Sequence, residues 1–211
     1  MAALSQEVRE RILEAAYGSF RQFGVRRVTM DEISGALRIS KKTLYRYFPS
    51  KKELVRELVL KRYSRHLENV LEAVVHGRTA QESFIAGYRC LGEMMLEVSL
   101  VFLSDVRLCF PDIWEEFDRL RIRVLGQFAL AITRGVQRGE VRPGIHPQIV
   151  AGIMECVVQN FMVPETFRNS EFTPRQAWLT WFTVLTSGLF HEPSDLSDAV
   201  QGPAGGSSLL D

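Results

Sequence analysis

The amino-acid sequence predicts an all-α protein of about nine helices. Apolar residues recur every three or four positions along most of the chain, and no stretch shows the strict alternation of a half-buried strand. Pro111, Gly139, the pair Pro143-Gly144 and Pro164 interrupt this pattern and mark where helices end. Serine or threonine followed three residues later by Glu or Gln opens several of the segments, which is the pattern of a capping box.

The first predicted helix runs from Ser5 to Phe23. Its apolar residues share helical spacing: Val8, Ile12, Ala16, Phe20 and Phe23. Gly24 follows directly, and glycine is a common helix stop because it adopts a positive φ without strain. We expect this helix to support the pair of short helices that comes next.

Two short helices joined by a tight turn are predicted within residues 29–48. Thr29 and Glu32 have the spacing of a capping box for the first helix, and the turn contains Arg38. Ser40 caps the second helix. The sequence therefore predicts a helix-turn-helix unit near the N-terminus.

The second of these helices has an inner and an outer face. Leu44 and Phe48 lie one turn apart and are expected to pack inward, which leaves Tyr45, Arg46 and Tyr47 largely outside. A helix set at a steep angle by such a turn can enter a DNA major groove. Lysines at its N-terminus and hydroxyls along it suit phosphate oxygens and base edges, so the segment predicts DNA binding.

The rest of the chain is predicted to be helical up to residue 190. Ser50 and Glu53 open a long helix over residues 51–76 with a second capping box. Further helices are expected at residues 81–97, 99–109, 112–138, 147–163 and 174–190. The run Thr173-Pro174-x-Gln176 gives the last one a cap and a proline at its first position. Residues 192–211 lack periodicity and contain GPAGGSS, so we predict a disordered tail there.

Charge is distributed unevenly along the chain although the net charge is only +1. Residues 1–65 carry 15 Lys+Arg and 7 Asp+Glu, a formal charge of +8, and all five lysines of the protein. Residues 66–211 carry the remaining 11 Lys+Arg and 18 Asp+Glu, a formal charge of −7. A basic N-terminal module on an acidic body is the electrostatic pattern of a polyanion binder.

A catalytic or metal site finds little support in the sequence. The histidines are scattered without metal-ligand spacing: His66, His76, His146 and His191. No G-x-S-x-G segment or Gly-rich phosphate loop is present. We therefore expect no enzymatic activity, no cofactor and no bound metal.

The cysteines and the hydropathy pattern point to a cytoplasmic protein. Cys90, Cys109 and Cys156 are isolated on apolar helical patterns, so we predict reduced thiols in or near the core. The N-terminus lacks the apolar run of a signal peptide, and no stretch of about 18 uninterrupted apolar residues predicts a membrane span.

The helix-turn-helix segment resembles a known family signature. The run Thr29-x-x-x-Ile33 followed by Ile39-Ser40-x-x-x-Leu44-Tyr45-x-Tyr47-Phe48-x-Ser50-Lys51-x-x-Leu54 is similar to that of the TetR family of transcriptional regulators. The family usually has Gly where this chain has Arg38. Either the turn differs slightly here, or Arg38 tolerates the strain of a positive φ.

The resemblance implies a domain organisation and a set of DNA contacts. A helix-turn-helix domain is expected at residues 1–50 and a helical effector-binding and dimerisation domain at 51–191, linked by the helix that begins at Lys51. In the hypothesis drawn from it, the phosphate contacts come from Thr29, Ser40, Tyr45, Tyr47 and Lys51. The base contacts come from Lys41, Lys42, Thr43 and Arg46.

The resemblance also implies a homodimer, which a palindromic operator requires. Apolar residues cover more than one face of the last two long helices, as expected when a helix has two packing partners. The predicted dimer interface contains Ile153, Val157, Trp178, Trp181, Phe182, Leu185 and Leu189.

A small, mostly apolar effector is the third implied partner. The large apolar side chains expected to line its pocket are Phe84, Tyr88, Met95, Phe102, Phe110, Trp114, Phe117, Phe128, Met154 and Phe161. For any single one of them, core packing is the better interpretation. The sequence thus predicts a dimeric transcriptional regulator, a repressor in the family's usual mode, that an effector releases from double-stranded DNA. Two alternatives stay open: a helical small-molecule enzyme or carrier with a vestigial DNA-binding module, and a nucleoid-like binder indifferent to sequence.

Overall fold

The computed structural model describes the backbone of residues 2–97, 99–161 and 163–191, and the side chains of residues 6–94, 99–161 and 163–191. Within these ranges the chain is helical apart from its turns and an isolated bridge between Val141 and Phe190. The predicted tail at 192–211 and the side chain of Met95 lie outside the described residues.

The all-α prediction is confirmed. The helices are α1 (Ala2–Phe23), α2 (Met30–Ala36), α3 (Lys41–Tyr47), α4 (Lys51–Leu58), α5 (Ser64–His76), α6 (Ala80–Glu97), α7 (Leu100–Cys109), α8 (Pro111–Gln137), α9 (Pro147–Cys156), α10 (Pro164–Phe167) and α11 (Pro174–Leu189). The first helix begins at Ala2 rather than at Ser5, and the single turn of α10 was not predicted.

Two of the predicted helices contain a π-helical turn. The helix predicted at 51–76 consists of α4, a π-helical turn at Val59–Tyr63 and α5. The helix predicted at 147–163 consists of α9 and a second such turn at Val157–Phe161. A π-helical turn inserts an extra residue and so shifts the side chains that follow it around the helix axis. Apolar periodicity alone does not reveal that shift.

The predicted caps are formed, with one exception. Both halves of the capping box are present at Thr29 and at Thr173. At Ser50 the hydroxyl accepts a hydrogen bond from the Glu53 N–H, but the reciprocal bond from the Ser50 N–H to the Glu53 carboxylate is not formed. Gly24 ends α1 with φ 80°, as its position predicts.

Contacts divide the described chain into two compact units. Unit 1 holds residues 2–66 and 99–122, and unit 2 holds residues 67–97 and 123–191 apart from residue 162. This grouping differs from the boundary expected at residue 50, because α4, α7 and the first part of α8 pack with the helix-turn-helix. The helical run that begins at Lys51 starts in unit 1 and ends in unit 2.

The core of unit 1 is a cluster of aromatic rings. Phe102 of α7 is fully buried and lies 5.6 Å from the Tyr63 ring, 5.9 Å from Tyr17 and 6.0 Å from Phe20, between ring centroids. Such stacked and edge-on pairs stabilise a core beyond the area that they bury. Ion pairs at the surface add to this packing, since Asp112 of α8 accepts from Lys52 at 3.0 Å and from Arg56 at 2.8 Å.

The core of unit 2 is a second aromatic cluster. The Tyr88 ring stacks 4.5 Å from both the Trp178 and Phe182 rings, and Phe84 contacts Tyr88 and Phe128. A Cβ added at Gly92 would lie 2.9 Å from the Trp178 Nε1, so the indole approaches α6 closely there. The packing of α6 with α11 therefore depends on large rings and on one small residue.

The cysteine prediction is wrong in part. All three thiols are free, as expected, but Cys109 and Cys156 are exposed and Cys90 is only partly buried. Each lies on an apolar pattern, yet the pattern does not show on which side of its helix the thiol falls.

Candidate DNA interface

Thr29 fixes the start of α2. Its hydroxyl oxygen accepts from the Glu32 N–H at 3.2 Å, and its own N–H donates to the Glu32 carboxylate at 2.7 Å. The Thr29 hydroxyl lies 2.9 Å from the same carboxylate and donates to it. These bonds lower the pKa of Glu32 below its usual value. Thr29 is exposed as predicted, but its hydroxyl proton already has an acceptor.

The turn after α2 closes around Arg38. The Arg38 N–H donates to the Gly35 carbonyl at 3.0 Å, and the Ile39 N–H donates to the Ser34 carbonyl at 3.1 Å. This is the hydrogen-bond pattern of a Schellman motif, whose central residue must adopt the left-handed conformation. Arg38 has φ 54°, the only non-glycine residue recorded with a positive φ in the described chain. The turn therefore keeps its geometry, and Arg38 tolerates a strain of about 1–2 kcal/mol.

The inner face of α3 anchors the helix in unit 1. The Ser40 hydroxyl accepts from the Thr43 N–H at 3.0 Å and so caps α3. Leu44 and Phe48 are buried, at 0% and 1% exposure, as predicted. Burial of two such side chains contributes about 1.5–3 kcal/mol each.

Four predicted DNA contacts lie next to one another on the other side of α3. Lys41, Lys42, Tyr45 and Arg46 are all exposed, and their spacing places them on adjoining turns of one surface. We call these four residues the outer face of α3. Thr43 and Tyr47 flank this face and are partly buried. The arrangement presents three cations and a phenol to solvent from a helix whose opposite side is fixed.

The two lysines of the outer face have different surroundings. The Lys41 Nζ lies 2.5 Å from the Asp31 Oδ2 of α2, and this hydrogen bond raises the pKa of Lys41. For Lys42, no carboxylate partner is recorded among the side chains that the structure describes. This difference could not be predicted from local sequence, because Asp31 and Lys41 belong to different helices.

Lys51 is the least exposed of the predicted DNA-contacting cations. Its Nζ lies 6.0 Å from the centroid of the Phe20 ring of α1. Partial burial lowers the pKa of Lys51, and the nearby Cys109 and Asp105 of α7 oppose that effect. Lys51 therefore lies at the start of α4 and is also close to α1 and α7 of unit 1.

Two residues that support the interface have no signal in the local sequence. Asp105 of α7 accepts from the Arg26 N–H at 3.2 Å and so holds the loop between α1 and α2. Arg9 of α1 donates to the Tyr47 carbonyl at 3.1 Å and pairs with Glu57 of α4. Both contacts join distant parts of the chain, which no local motif indicates.

The residues predicted to line an effector pocket fall into separate groups. In unit 1 are Phe102, Phe110, Trp114 and Phe117; in unit 2 are Phe84, Tyr88, Phe128, Met154 and Phe161. Most of them are packed against other rings, whereas Phe161 is 39% exposed beside Phe167 and Phe172. An open groove of about 620 Å³ in unit 1 is lined by other residues: Arg9, Tyr47, Phe48, Pro49, Glu53, Arg56, Glu57, Leu60 and Lys61. The effector pocket stays a prediction.

The residues predicted for the dimer interface are of two kinds. Trp178, Phe182, Leu185 and Leu189 are buried within unit 2. Ile153 is 44% exposed, and Val157 and Trp181 are partly buried. Other apolar side chains that α9 and α11 expose are Ile149 at 60% and Val184 at 61%.

Neither a metal site nor a membrane span is found in the part of the chain that the structure describes. No group of three or more His, Cys, Asp or Glu residues there could hold a metal ion. None of the described helices has the length and apolar character needed to cross a membrane.

Comparison with known proteins finds similarity in the segment that contains the helix-turn-helix. Residues 12–58 match the family model of bacterial regulatory proteins, tetR family. A Bacillus subtilis protein described as an uncharacterized HTH-type transcriptional regulator, YhgD, is 25% identical over 157 residues, which is 72% of this chain and 80% of that protein. The matched segment contains α2, α3 and the outer face of α3.

Solved structures share the fold over most of the chain. A putative transcriptional regulator from Saccharomonospora viridis, in complex with choline, has a TM-score of 0.72 and 17% identity, covering 89% of this chain and 100% of that one. Bacillus subtilis FadR, in complex with stearoyl-CoA, has a TM-score of 0.66 and 15% identity, covering 85% and 98%. The helix-turn-helix segment at residues 12–58 matches the tetR family of bacterial regulatory proteins, and the chain is a DNA-binding transcriptional regulator.

Proposed function

We propose that this regulator is a homodimeric repressor that places α3 of each subunit in a major groove of a palindromic operator. The observation that carries the proposal is the outer face of α3. Lys41, Lys42, Tyr45 and Arg46 are exposed there, while Leu44 on the opposite side is fully buried. A cationic helix face on a fixed support suits entry into a groove lined by phosphates.

The proposed contacts divide into contacts to bases and contacts to phosphates. Lys41, Lys42, Thr43 and Arg46 meet base edges, where lysine and arginine recognise guanine O6 and N7. Phosphates are contacted by Thr29, Ser40, Tyr45, Tyr47 and Lys51. Because the Thr29 hydroxyl donates to Glu32 and the Ser40 hydroxyl pairs with that of Thr43, backbone N–H groups at the helix starts are the better donors there.

A second copy of the chain is the proposed partner of α9 and α11. Ile149, Ile153 and Val184 expose apolar surface on these helices, which a four-helix interface between two subunits would cover. Gly152 and Gly188 lie on the same helices, and no heavy atom within 4 Å would meet a Cβ added at either. Packing within the subunit therefore does not require these glycines, whereas a close approach by a partner helix would.

The proposed effector is a small, mostly apolar molecule held by the helices that follow the helix-turn-helix. Two fold relatives with bound ligands, choline in one and stearoyl-CoA in the other, support ligand binding by this fold, whereas the apolar character of the effector rests on the predicted pocket residues. The helical run from Lys51 to His76 begins in unit 1 and ends in unit 2, so it supplies a covalent path for the signal. Binding would favour the state unable to span both half-sites, and DNA would be released. We assign the protein to the cytoplasm, where its operator lies, and propose no enzymatic activity.

In-vitro selection of genomic DNA fragments by the purified protein tests this proposal. The salt concentration should be high, about 200 mM, because phosphate-only binding weakens steeply with salt. A short palindromic consensus is the expected result, and its flanking genes would narrow the effector class. Enrichment of no fragment, or equal enrichment of all fragments, would contradict the proposal.

A further inference from the structure

We propose that Asp31 is a specificity-determining residue of the DNA interface, because it pairs with Lys41 and so withholds that charge from DNA of arbitrary sequence. The inference rests on the proposed docking of α3. It concerns a residue on α2, outside the predicted DNA contacts.

The geometry links the two helices of the helix-turn-helix at their exposed ends. Asp31 lies in the first turn of α2, and Lys41 is the first residue of α3. The Lys41 Nζ and the Asp31 Oδ2 are 2.5 Å apart, with side chains 64% and 58% exposed. The pair therefore lies on the surface from which α3 would meet DNA.

An ion pair at this place weakens binding through phosphates alone. Lys41 and Asp31 together carry no net charge, so docking them against phosphate releases about one counterion fewer than an unpaired lysine would. The Asp31 carboxylate also repels any phosphate that approaches Lys41. A duplex of arbitrary sequence contacts the protein mainly through its phosphates, so the ion pair weakens its binding by the full amount.

The same ion pair is compatible with a base contact. An ammonium group has three N–H donors, so Lys41 can donate to Asp31 and to a guanine O6 or N7 at once. In the operator, a correctly placed guanine therefore accepts a hydrogen bond from Lys41 that compensates for the weakened phosphate contact. Asp31 should therefore lower non-specific affinity more than operator affinity, which raises the ratio between them.

A double-mutant cycle tests this inference. The affinity of each variant for a random-sequence duplex of about 20 base pairs is measured as a function of salt concentration, because the slope of log K against log[salt] reports the number of phosphate contacts. The variants are D31N, K41Q, D31N/K41Q and, as a matched control on the neighbouring residue, K42Q. D31N should steepen the slope of log K against log[salt] by about 0.9, equivalent to about a 3.5-fold larger loss of affinity between 50 and 200 mM salt. K41Q should change the slope little in the wild-type background but by about 0.9 in the D31N background.

K42Q separates failure of this inference from failure of the docking model. It should reduce the slope by about 0.9 in both backgrounds, because no partner is recorded for Lys42 among the described side chains. If K42Q acts in this way but D31N leaves the slope unchanged, the role of Asp31 is contradicted and the docking stands. If K42Q has no effect either, α3 does not face DNA, and both proposals are overturned. Thermal unfolding checks that every variant is folded.

Discussion

The N–H of Ile39 donates to the carbonyl of Ser34 at 3.1 Å, and this bond closes the turn between the two helices of the DNA-binding motif. Arg38 lies inside the closed turn with φ 54°. In that conformation the Cβ of any L-residue crowds its own backbone, whereas glycine has no Cβ to crowd. The chain therefore keeps the angle between α2 and α3 at the expense of local strain.

Arg38→Gly should stabilise the protein. Relief of the strain contributes about 1–2 kcal/mol, and the greater freedom of glycine in the unfolded chain offsets about half of it. The expected gain in the free energy of unfolding is about 0.5–1 kcal/mol, measured from denaturant midpoints. Arg38→Ala is the matched control, since it removes the guanidinium but keeps the Cβ. An equal gain from Arg38→Ala would show that side-chain loss, not backbone strain, is responsible.

Two buried tyrosines should make the protein lose stability in alkali. Burial raises the pKa of Tyr63 and of Tyr88 far above the usual value for tyrosine. Above about pH 10 the unfolded chain loses these protons and the folded chain keeps them, so stability present at lower pH is lost as the pH rises. Each tyrosine contributes a slope of about 1.4 kcal/mol per pH unit in that window.

Tyr63→Phe and Tyr88→Phe test this expectation in unit 1 and unit 2 separately. Each should remove about 1.4 kcal/mol per pH unit from the slope of unfolding free energy above pH 10. Between pH 7 and 9 each variant should run parallel to the wild type, which serves as an internal control. Unchanged alkaline slopes in both variants would contradict the burial of these hydroxyl groups.

Val184→Glu should dissociate the proposed dimer. Val184 is 61% exposed on α11, so the charge is tolerated in a free subunit but is left unpaired when a partner covers it. We expect a loss of about 3 kcal/mol, or roughly a hundredfold weaker self-association, measured by sedimentation equilibrium. Leu108→Glu, at a 69% exposed position on α7 of unit 1, is the control and should leave association unchanged. Equal behaviour of both variants would place the dimer interface elsewhere.

Tyr45→Phe should weaken DNA binding without affecting the fold. The Tyr45 side chain is 45% exposed, and its proposed partner is a phosphate. Loss of that hydrogen bond costs about 1 kcal/mol, roughly a fivefold rise in Kd for operator and scrambled duplexes alike. Tyr88→Phe removes a hydroxyl buried in unit 2 and is the matched control, with no expected change in Kd. If Tyr45→Phe and Tyr88→Phe both bind like the wild type, α3 is docked incorrectly.

The sequence predicted the elements whose signals are local. Thr29 and Glu32 lie within one helical turn, so the start of α2 could be read from their spacing alone. The inward packing of Leu44 and Phe48 followed from helical periodicity for the same reason. The candidate DNA interface was predicted from such signals together with the family resemblance.

Features that depend on distant contacts could not be predicted in this way. The Asp105 carboxylate accepts a hydrogen bond from the Arg26 N–H, although the two residues are 79 positions apart in the sequence. The Asp31–Lys41 ion pair joins two different helices. Trp178 and Phe182 lie on an apolar helix, but only the packing of α6 against α11 shows that the subunit itself buries them. Periodicity identifies an apolar face without identifying what covers it.

Dimethyl sulfate protection on the selected operator tests the central claim most directly, since the reagent methylates guanine N7 in the major groove. Wild-type protein should protect guanines in two half-sites about one helical turn, roughly 10 base pairs, apart, as expected for one α3 helix per groove. Protection confined to adenine N3 in the minor groove, or absent at saturating protein, would contradict the placement of α3 in the major groove.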